Sequence, residues 1–126
     1  MDSAIVLSDE GDSFRLYARD VAKIPLNADL VTISACYSSG TRTFAGEGMV
    51  GLAWAFMLAG AHNVVASLWD ANDYYAAHLM DQLYERLSAG DDVAHALRKA
   101  KLSLLHSQYI CRNPRYWGAF QLYTGY

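Results

Sequence analysis

Apolar residues along this chain fall into short continuous runs that alternate with longer segments in which they recur every three or four positions. The two clearest runs, at 30–35 and 62–69, are rich in β-branched residues, which is typical of parallel strands covered on both faces. Segments 47–59, 74–88 and 91–105 carry their apolar residues at helical spacing. The pattern therefore predicts strand, helix, strand, helix, helix.

Shorter elements at both ends of the chain extend this pattern. Apolar residues 4–7 and the alternating residues 13–17 flank a polar, turn-forming stretch and predict a hairpin. Residues 18–24 predict one or two helical turns, which the following proline stops because proline cannot continue a helix. After a break at Pro114, residues 117–123 predict a last strand.

This order of elements is an α/β pattern, and it predicts a mostly parallel sheet flanked by helices. The chain has 126 residues, of which 53% are hydrophobic and 18% charged, so it can bury one core but not two. It contains no internal repeat, low-complexity tract or linker. We therefore expect a single unit spanning residues 1–126.

Charge and apolar patterning exclude two classes of partner. The net charge is -3, from 10 Lys and Arg against 13 Asp and Glu, whereas a nucleic-acid binder needs a clustered basic face. The densest basic group, Arg98, Lys99 and Lys101, is spaced like the solvated flank of a helix. The most apolar window, 49–68, is interrupted by glycine and polar residues, which indicates a buried helix and a strand. We expect binding to neither nucleic acid nor membrane.

The two cysteines lie far apart and in different contexts. Cys36 follows the strand at 30–35, at the carboxyl end where open α/β sheets bind ligands, and it can act as a nucleophile if an imidazole withdraws its proton. The alternative is a small buried hydrophobic side chain. Cys111 is interpreted as structural. Because no disulfide framework and no signal peptide are present, we expect a reducing compartment, the cytoplasm.

No histidine of the chain is well positioned to serve as that imidazole. His62 precedes a strand, at the end opposite to the catalytic one, and His78, His95 and His106 lie within predicted helices. No pair has the compact spacing of a metal site, and phosphate-binding and dinucleotide-binding motifs are absent from the sequence. We expect no metal and no cofactor.

A series of motifs covers nearly the whole chain in a characteristic order. They are 30–36 (LVTISAC), 46–56 (GEGMVGLAWAF), 58–61 (LAGA), 64–69 (VVASLW) with Asp73, and 116–120 (YWGAF). Together they resemble the CHAT-domain family, a group of caspase-like domains often fused to tetratricopeptide repeats. The resemblance implies a caspase-like three-layer fold and a cysteine–histidine dyad of the caspase and separase type.

On this resemblance, Cys36 falls on the nucleophile of the family's Ser-Ala-Cys motif. The family's histidine lies upstream in a His-Gly motif after an earlier strand, and residues 2–7 resemble the segment that follows that motif. The resemblance thus implies that residues 1–126 are the C-terminal part of a single caspase-like CHAT domain, with the N-terminal strands and the base missing. Residues 37–40 (YSSG) replace the family's glutamate and threonine-glycine, so pocket details are not transferred. Without the base, the chain alone is expected to be inactive.

Two carboxylates follow the second strand and are predicted to face the same end of the sheet as Cys36. A carboxylate of Asp70 or Asp73 in a pocket would favour a basic substrate side chain, with Trp69 as a pocket wall. The alternatives are a helix cap for Asp73 and core packing for Trp69.

These observations leave three functions open. The first is a cysteine endopeptidase acting on a protein or peptide substrate, the second a non-catalytic caspase-like interaction or signalling module, and the third amide hydrolysis on a small molecule. Without an upstream strand, the edge of the strand at 30–35 is unpaired. We therefore expect either that another chain supplies the upstream segment or that this chain self-associates. The expected partners are the upstream half of the domain or a tetratricopeptide-repeat region.

Overall fold

The computed structural model describes residues 4–6, 15–34, 47–67 and 73–125. The strands are β1 (Ala4–Val6), β2 (Arg15–Tyr17), β3 (Ala28–Ile33), β4 (Ala61–Ser67) and β5 (Phe120–Thr124). The helices are α1 (Ala18–Val21), α2 (Glu47–Ala59), α3 (Asp73–Ser88), α4 (Val93–Ser107) and α5 (Pro114–Trp117), with one 3-10 turn at Tyr109–Arg112. The predicted order of elements is confirmed within these residues.

Among the described residues, three strands form the central sheet in the order β3-β4-β5. β3 and β4 are parallel, with Ile33 beside Ala66, and β5 runs antiparallel to β4, with Phe120 beside Ser67. β1 and β2 form the predicted hairpin, which is a separate two-stranded sheet. The α/β class is confirmed, and the sheet is mixed because its last strand is antiparallel.

The core lies on both faces of this sheet. Val64 and Val65 are neighbours on β4 and are both fully buried, although successive side chains of a strand point to opposite faces. Val64 packs in a cluster with residues of α1 and α2, and Val65 in a cluster with residues of α3 and α4. The result is three layers, which explains why the strand sequences are nearly continuous apolar runs.

A glycine turn joins α2 directly to β4. Gly60 has a φ of 126°, in the left-handed region that side-chain-bearing residues rarely adopt. Its N–H donates to the carbonyl oxygens of Phe56 and Met57, which closes the end of the helix. The Leu26 N–H donates to the Ala59 carbonyl at 2.7 Å, so the segment before β3 packs closely against this turn.

The structure differs from the sequence prediction near the last strand. Residues 114–117 form α5, and the strand begins only at Phe120. Pro114 occupies the first helical position, where its missing N–H costs nothing, and the Asn113 side chain accepts the Arg115 N–H at 3.0 Å. The asparagine–proline pair therefore starts a helix here, so Trp117 belongs to that helix and not to the strand.

The start of α4 agrees with the prediction. The Asp92 side chain caps the helix by accepting the His95 backbone N–H at 2.8 Å, and the His95 ring also contacts it. The backbone hydrogen bond first, and the ring hydrogen bond second, hold the pKa of Asp92 below its ordinary value. His95 thus contributes to the capping of α4 at its N-terminus.

Candidate functional site

The carboxyl ends of β3 and β4 lie at the same end of the sheet. Because these strands are parallel and Ile33 lies beside Ala66, Ser34 and Ser67 are one step further at a common level. Segments 35–46 and 68–72 continue the chain from this end. Both segments that carry predicted site residues therefore start next to each other.

The floor at this end of the sheet is tightly packed. Ile33 is 6% exposed, Ser67 2% and Phe120 1%, and Ser67 is paired with Phe120 across the two strands. Chemistry that needs fixed geometry is best supported by such rigid elements. The buried strand ends are therefore rigid supports for the residues that follow them in the chain.

The predicted site residues lie at or just beyond these strand ends in the sequence. Cys36 is the third residue after Ile33, Asp70 is the third after Ser67, and Trp69 precedes Asp70. Cys36, Trp69 and Asp70 lie outside the described residues. Asp73 is the first residue of α3, which agrees with a helix start at that position.

His78, His95 and His106 lie within helices, as predicted, whereas His62 lies within β4 and not before it. His62 is exposed near the amino end of β4, with its Nδ1 3.4 Å from Asp29 Oδ1. The five residues from there to Ser67 span roughly 16 Å of strand, so His62 is remote from the carboxyl end. His95 donates its backbone N–H to Asp92, which caps α4, and His106 is exposed in the last turn of that helix.

The remaining histidine is partly buried in α3. Its Nε2 atom is inaccessible to solvent and, within the described part of the chain, has no hydrogen-bond partner, which is unusual for a buried polar atom. In residues 4–6, 15–34, 47–67 and 73–125, no group of three His, Cys, Asp or Glu side chains is arranged to hold a metal ion. His78 thus belongs to no such group among those residues.

Cys111 is fully buried and carries a free thiol. It packs in the cluster that contains Val65, Leu104 and Phe120. The interpretation of this cysteine as a structural residue is confirmed.

A concave surface beside α4 was missed by the sequence analysis. It lies between α4 and the segment 117–122, and Lys101, which was interpreted as part of a solvated flank, is half-buried there. The helical spacing of Lys101 alone does not predict this burial, because the two walls come from segments at least 12 positions apart in the sequence.

Comparison with known proteins agrees with these features. The family model of the CHAT domain matches residues 1–125. The chain is also similar to human tetratricopeptide repeat protein 28, with 29% identity over 107 residues, which is 85% of this chain. It spans only 4% of the length of that relative. Among the helices that the structure describes, none is long and apolar enough to cross a membrane.

The match over nearly all residues agrees with the three-layer α/β arrangement, in which β3 and β4 are parallel and have α2 between them in the chain. This chain belongs to the CHAT-domain family of caspase-like domains.

Proposed function

We propose that this chain is the C-terminal part of a single caspase-like cysteine endopeptidase domain, with Cys36 as the nucleophile and the general-base histidine supplied from upstream of residue 1. The observation that carries the proposal is the parallel pairing of β3 with β4 in a chain of this family. Open α/β sheets bind substrates beyond the carboxyl ends of such strands. Cys36 follows β3 at that end.

The proposed chemistry uses the sulfur of Cys36. An imidazole takes the thiol proton, the thiolate attacks the substrate carbonyl carbon, and the amine leaves with a proton returned by the imidazolium. The backbone N–H of Cys36 can donate to the developing oxyanion. Water then hydrolyses the thioester. Two cysteines form no disulfide framework, which favours a reducing compartment, and we propose the cytoplasm.

The proposed upstream base agrees with the free edge of the sheet. Among the described residues, no strand pairs with the outer edge of β3. An unpaired edge exposes backbone N–H and C=O groups that readily bind another strand. We propose that an upstream strand ending in the histidine pairs there, and that in its absence a second copy of the chain does.

The similarity to the human protein supports a proposal about the larger protein that contains this domain. The human protein is named for tetratricopeptide repeats, and this chain corresponds to only 4% of it. We propose that the chain works in a protein that contains such repeats, with the repeat region as a partner of the domain.

Covalent labelling tests the proposed nucleophile. A peptidyl chloromethyl ketone with arginine at its reactive end alkylates a catalytic cysteine, forming a carbon–sulfur bond as chloride leaves. We expect Cys36 to be alkylated at least tenfold faster when the chain is joined to its natural upstream segment, because the imidazole raises the fraction of thiolate. Peptide mass spectrometry identifies the labelled cysteine.

Cys111 is the internal control for this experiment. It is fully buried, so its labelling should stay slow in both proteins. Iodoacetamide lacks a peptide and separates thiolate reactivity from peptide recognition. Equal labelling of Cys36 in the two proteins at every pH would contradict the proposal and would favour the non-catalytic interaction or signalling module.

We further propose that Asp70 and Asp73 select a basic substrate side chain and that Trp69 forms a wall of the pocket. Support comes from their position in the chain, since β4 ends at Ser67 and α3 begins at Asp73. In the protein joined to its upstream segment, Asp70→Asn or Asp73→Asn should lower the preference for arginine over leucine about tenfold or more, since a charge-assisted hydrogen bond is lost. Hydrolysis of a positional peptide library measures this preference.

Asp81→Asn is the matched control, because Asp81 is exposed further along the same helix. It removes the same charge and should leave the preference unchanged. If all three variants cleave with wild-type selectivity, the carboxylates have another role, and a helix cap is the explanation for Asp73.

A further inference from the structure

A groove runs between α4 and the edge of the sheet, on the face opposite α2. It has a volume of about 410 Å³. Its apolar lining comes from Leu97, Leu102, Leu105, Trp117 and Leu122. A groove of this size accommodates at least one large apolar side chain.

Two cations border this apolar surface. Arg98 and Lys101 line the groove, and neither forms an ion pair with a carboxylate of the described residues. Lys99, on the same helix, is instead paired with Asp91 at 2.9 Å. Burial lowers the pKa of the Lys101 ammonium. A bound carboxylate would offset this cost of placing an ammonium against apolar walls.

The groove lies in the basic part of an acidic chain. Residues 93–126 contain five of the 10 Lys and Arg residues and none of the 13 Asp and Glu residues. The net charge of -3 conceals this separation. An anionic partner is therefore attracted to this part of the molecule, and a cationic partner is repelled.

The strand beside the groove lies at the edge of the sheet formed by the described residues. Within the described part of the chain, β5 pairs only with β4. The Leu122 carbonyl oxygen lies 3.4 Å from the Gln121 side-chain nitrogen, a weak contact within its own strand. An extended peptide can bind such an edge through its backbone while its side chains enter a neighbouring groove.

The surface continues beyond Leu105. That residue also lines a second concavity of about 630 Å³ with Tyr109 and Arg112, whose guanidinium carbon lies 5.0 Å from the Tyr109 ring centre. Both concavities are partly open to solvent, which suits an extended segment better than a small molecule that must be enclosed. The continuous path favours a peptide several residues long.

We infer that this groove binds an acidic peptide segment of a partner protein, with an apolar side chain between α4 and β5 and carboxylates beside Arg98 and Lys101. The inference is independent of the proposed peptidase function, because none of the residues that line the groove is proposed to take part in catalysis. The phosphates of a nucleic acid could pair with the two cations, but they would not bury the apolar surface of the leucines. It is therefore an alternative that the test must distinguish.

Fluorescence anisotropy with defined peptide pools tests this inference on the whole chain. The probe is a fluorescein-labelled nine-residue pool with a central leucine, two glutamates on each side and randomised ends. One matched pool replaces the glutamates by lysine, and another replaces the leucine by serine. We expect the acidic leucine pool to bind at least tenfold more tightly than either, with affinity falling as salt is raised.

Variants on the two sides of α4 locate the site. Lys101→Gln is expected to weaken binding about tenfold, because it removes a half-buried cation, while Lys99→Gln changes it less than twofold. Leu102→Ser should weaken binding about tenfold, and Leu58→Ser, at an exposed position of α2, should have no effect. Circular dichroism confirms that each variant is folded.

Three results would overturn the inference. The first is equal weakening by the two lysine variants, which would indicate a general electrostatic surface. The second is the absence of binding by the acidic pool. The third is a ten-nucleotide oligothymidylate that binds as tightly as the acidic pool and is equally weakened by Leu102→Ser.

Discussion

Replacing Cys36 by alanine is expected to lower the kcat/KM for peptide hydrolysis by about 10⁴-fold or more in the chain joined to its natural upstream segment. The variant has no thiolate to attack the carbonyl, so the covalent intermediate cannot form. The isolated chain should be inactive with or without the substitution. A thiol of ordinary pKa with no neighbouring imidazole is only a few per cent ionised at neutral pH, and the leaving amine has no proton donor. Hydrolysis of a fluorogenic peptide library measures each rate.

Cys111→Ala is the control for the loss of a cysteine. Cys111 is fully buried in the core, so its replacement costs some stability and leaves the rate largely unchanged. Size-exclusion chromatography of the same proteins reports on the edge of β3. A larger species is expected for the isolated chain and a monomer for the extended one. Rapid hydrolysis by the isolated wild-type chain would show that the base lies within residues 1–126, and equal rates for Cys36→Ala would exclude the cysteine mechanism.

Gly60→Ala is expected to lower the free energy of unfolding by roughly 3 kcal/mol or more, a large part of the 5–15 kcal/mol typical of a domain. The φ of 126° is unfavourable for alanine. The added Cβ would also collide with the Leu26 carbonyl oxygen. The neighbouring Leu26–Ala59 hydrogen bond holds the two backbones together, so relief of the collision would separate α2 from the segment before β3. Urea unfolding followed by circular dichroism measures the change.

Gly90→Ala separates the two causes. Gly90 also has a positive φ, 101°, but nothing lies within 4 Å of the position of an added Cβ. Only backbone strain is expected there, about 1–2 kcal/mol. If the two variants are destabilised equally, the close approach of Leu26 contributes nothing, and the account of the Gly60 turn is wrong.

The local sequence predicted the bounds of an element to within two residues where one or both of its faces are buried. The apolar spacing predicted α2 over residues 47–59, and the structure has the same bounds. It predicted strands at 30–35 and 62–69, which are displaced by one or two residues from β3 and β4. Burial requires apolar residues at the spacing of the helix or strand, so the apolar pattern reports the type and position of a buried element.

The strand predicted to begin at residue 117 begins instead at Phe120. Apolar and aromatic residues 117–123 have the composition of a strand, yet the capping bonds of Asn113 and the proline at the first helical position extend a helix to Trp117. The choice depends on which hydrogen bonds the backbone can complete in the folded chain, and composition does not report that. The Trp117 Nε1, for instance, donates to the Arg112 carbonyl at 3.2 Å.

The order of apolar runs and the family motifs were sufficient by themselves to predict an α/β chain of CHAT type, because both are properties of neighbouring residues. The pairing of β5 against β4, the close approach at Gly60 and the groove beside Lys101 required the folded molecule. Each depends on the burial of groups that are distant in the sequence, and the free energy of a charge or a backbone contact is set by what packs around it. The same lysine is a solvated charge on an isolated helix and a half-buried one once the edge of the sheet lies beside it.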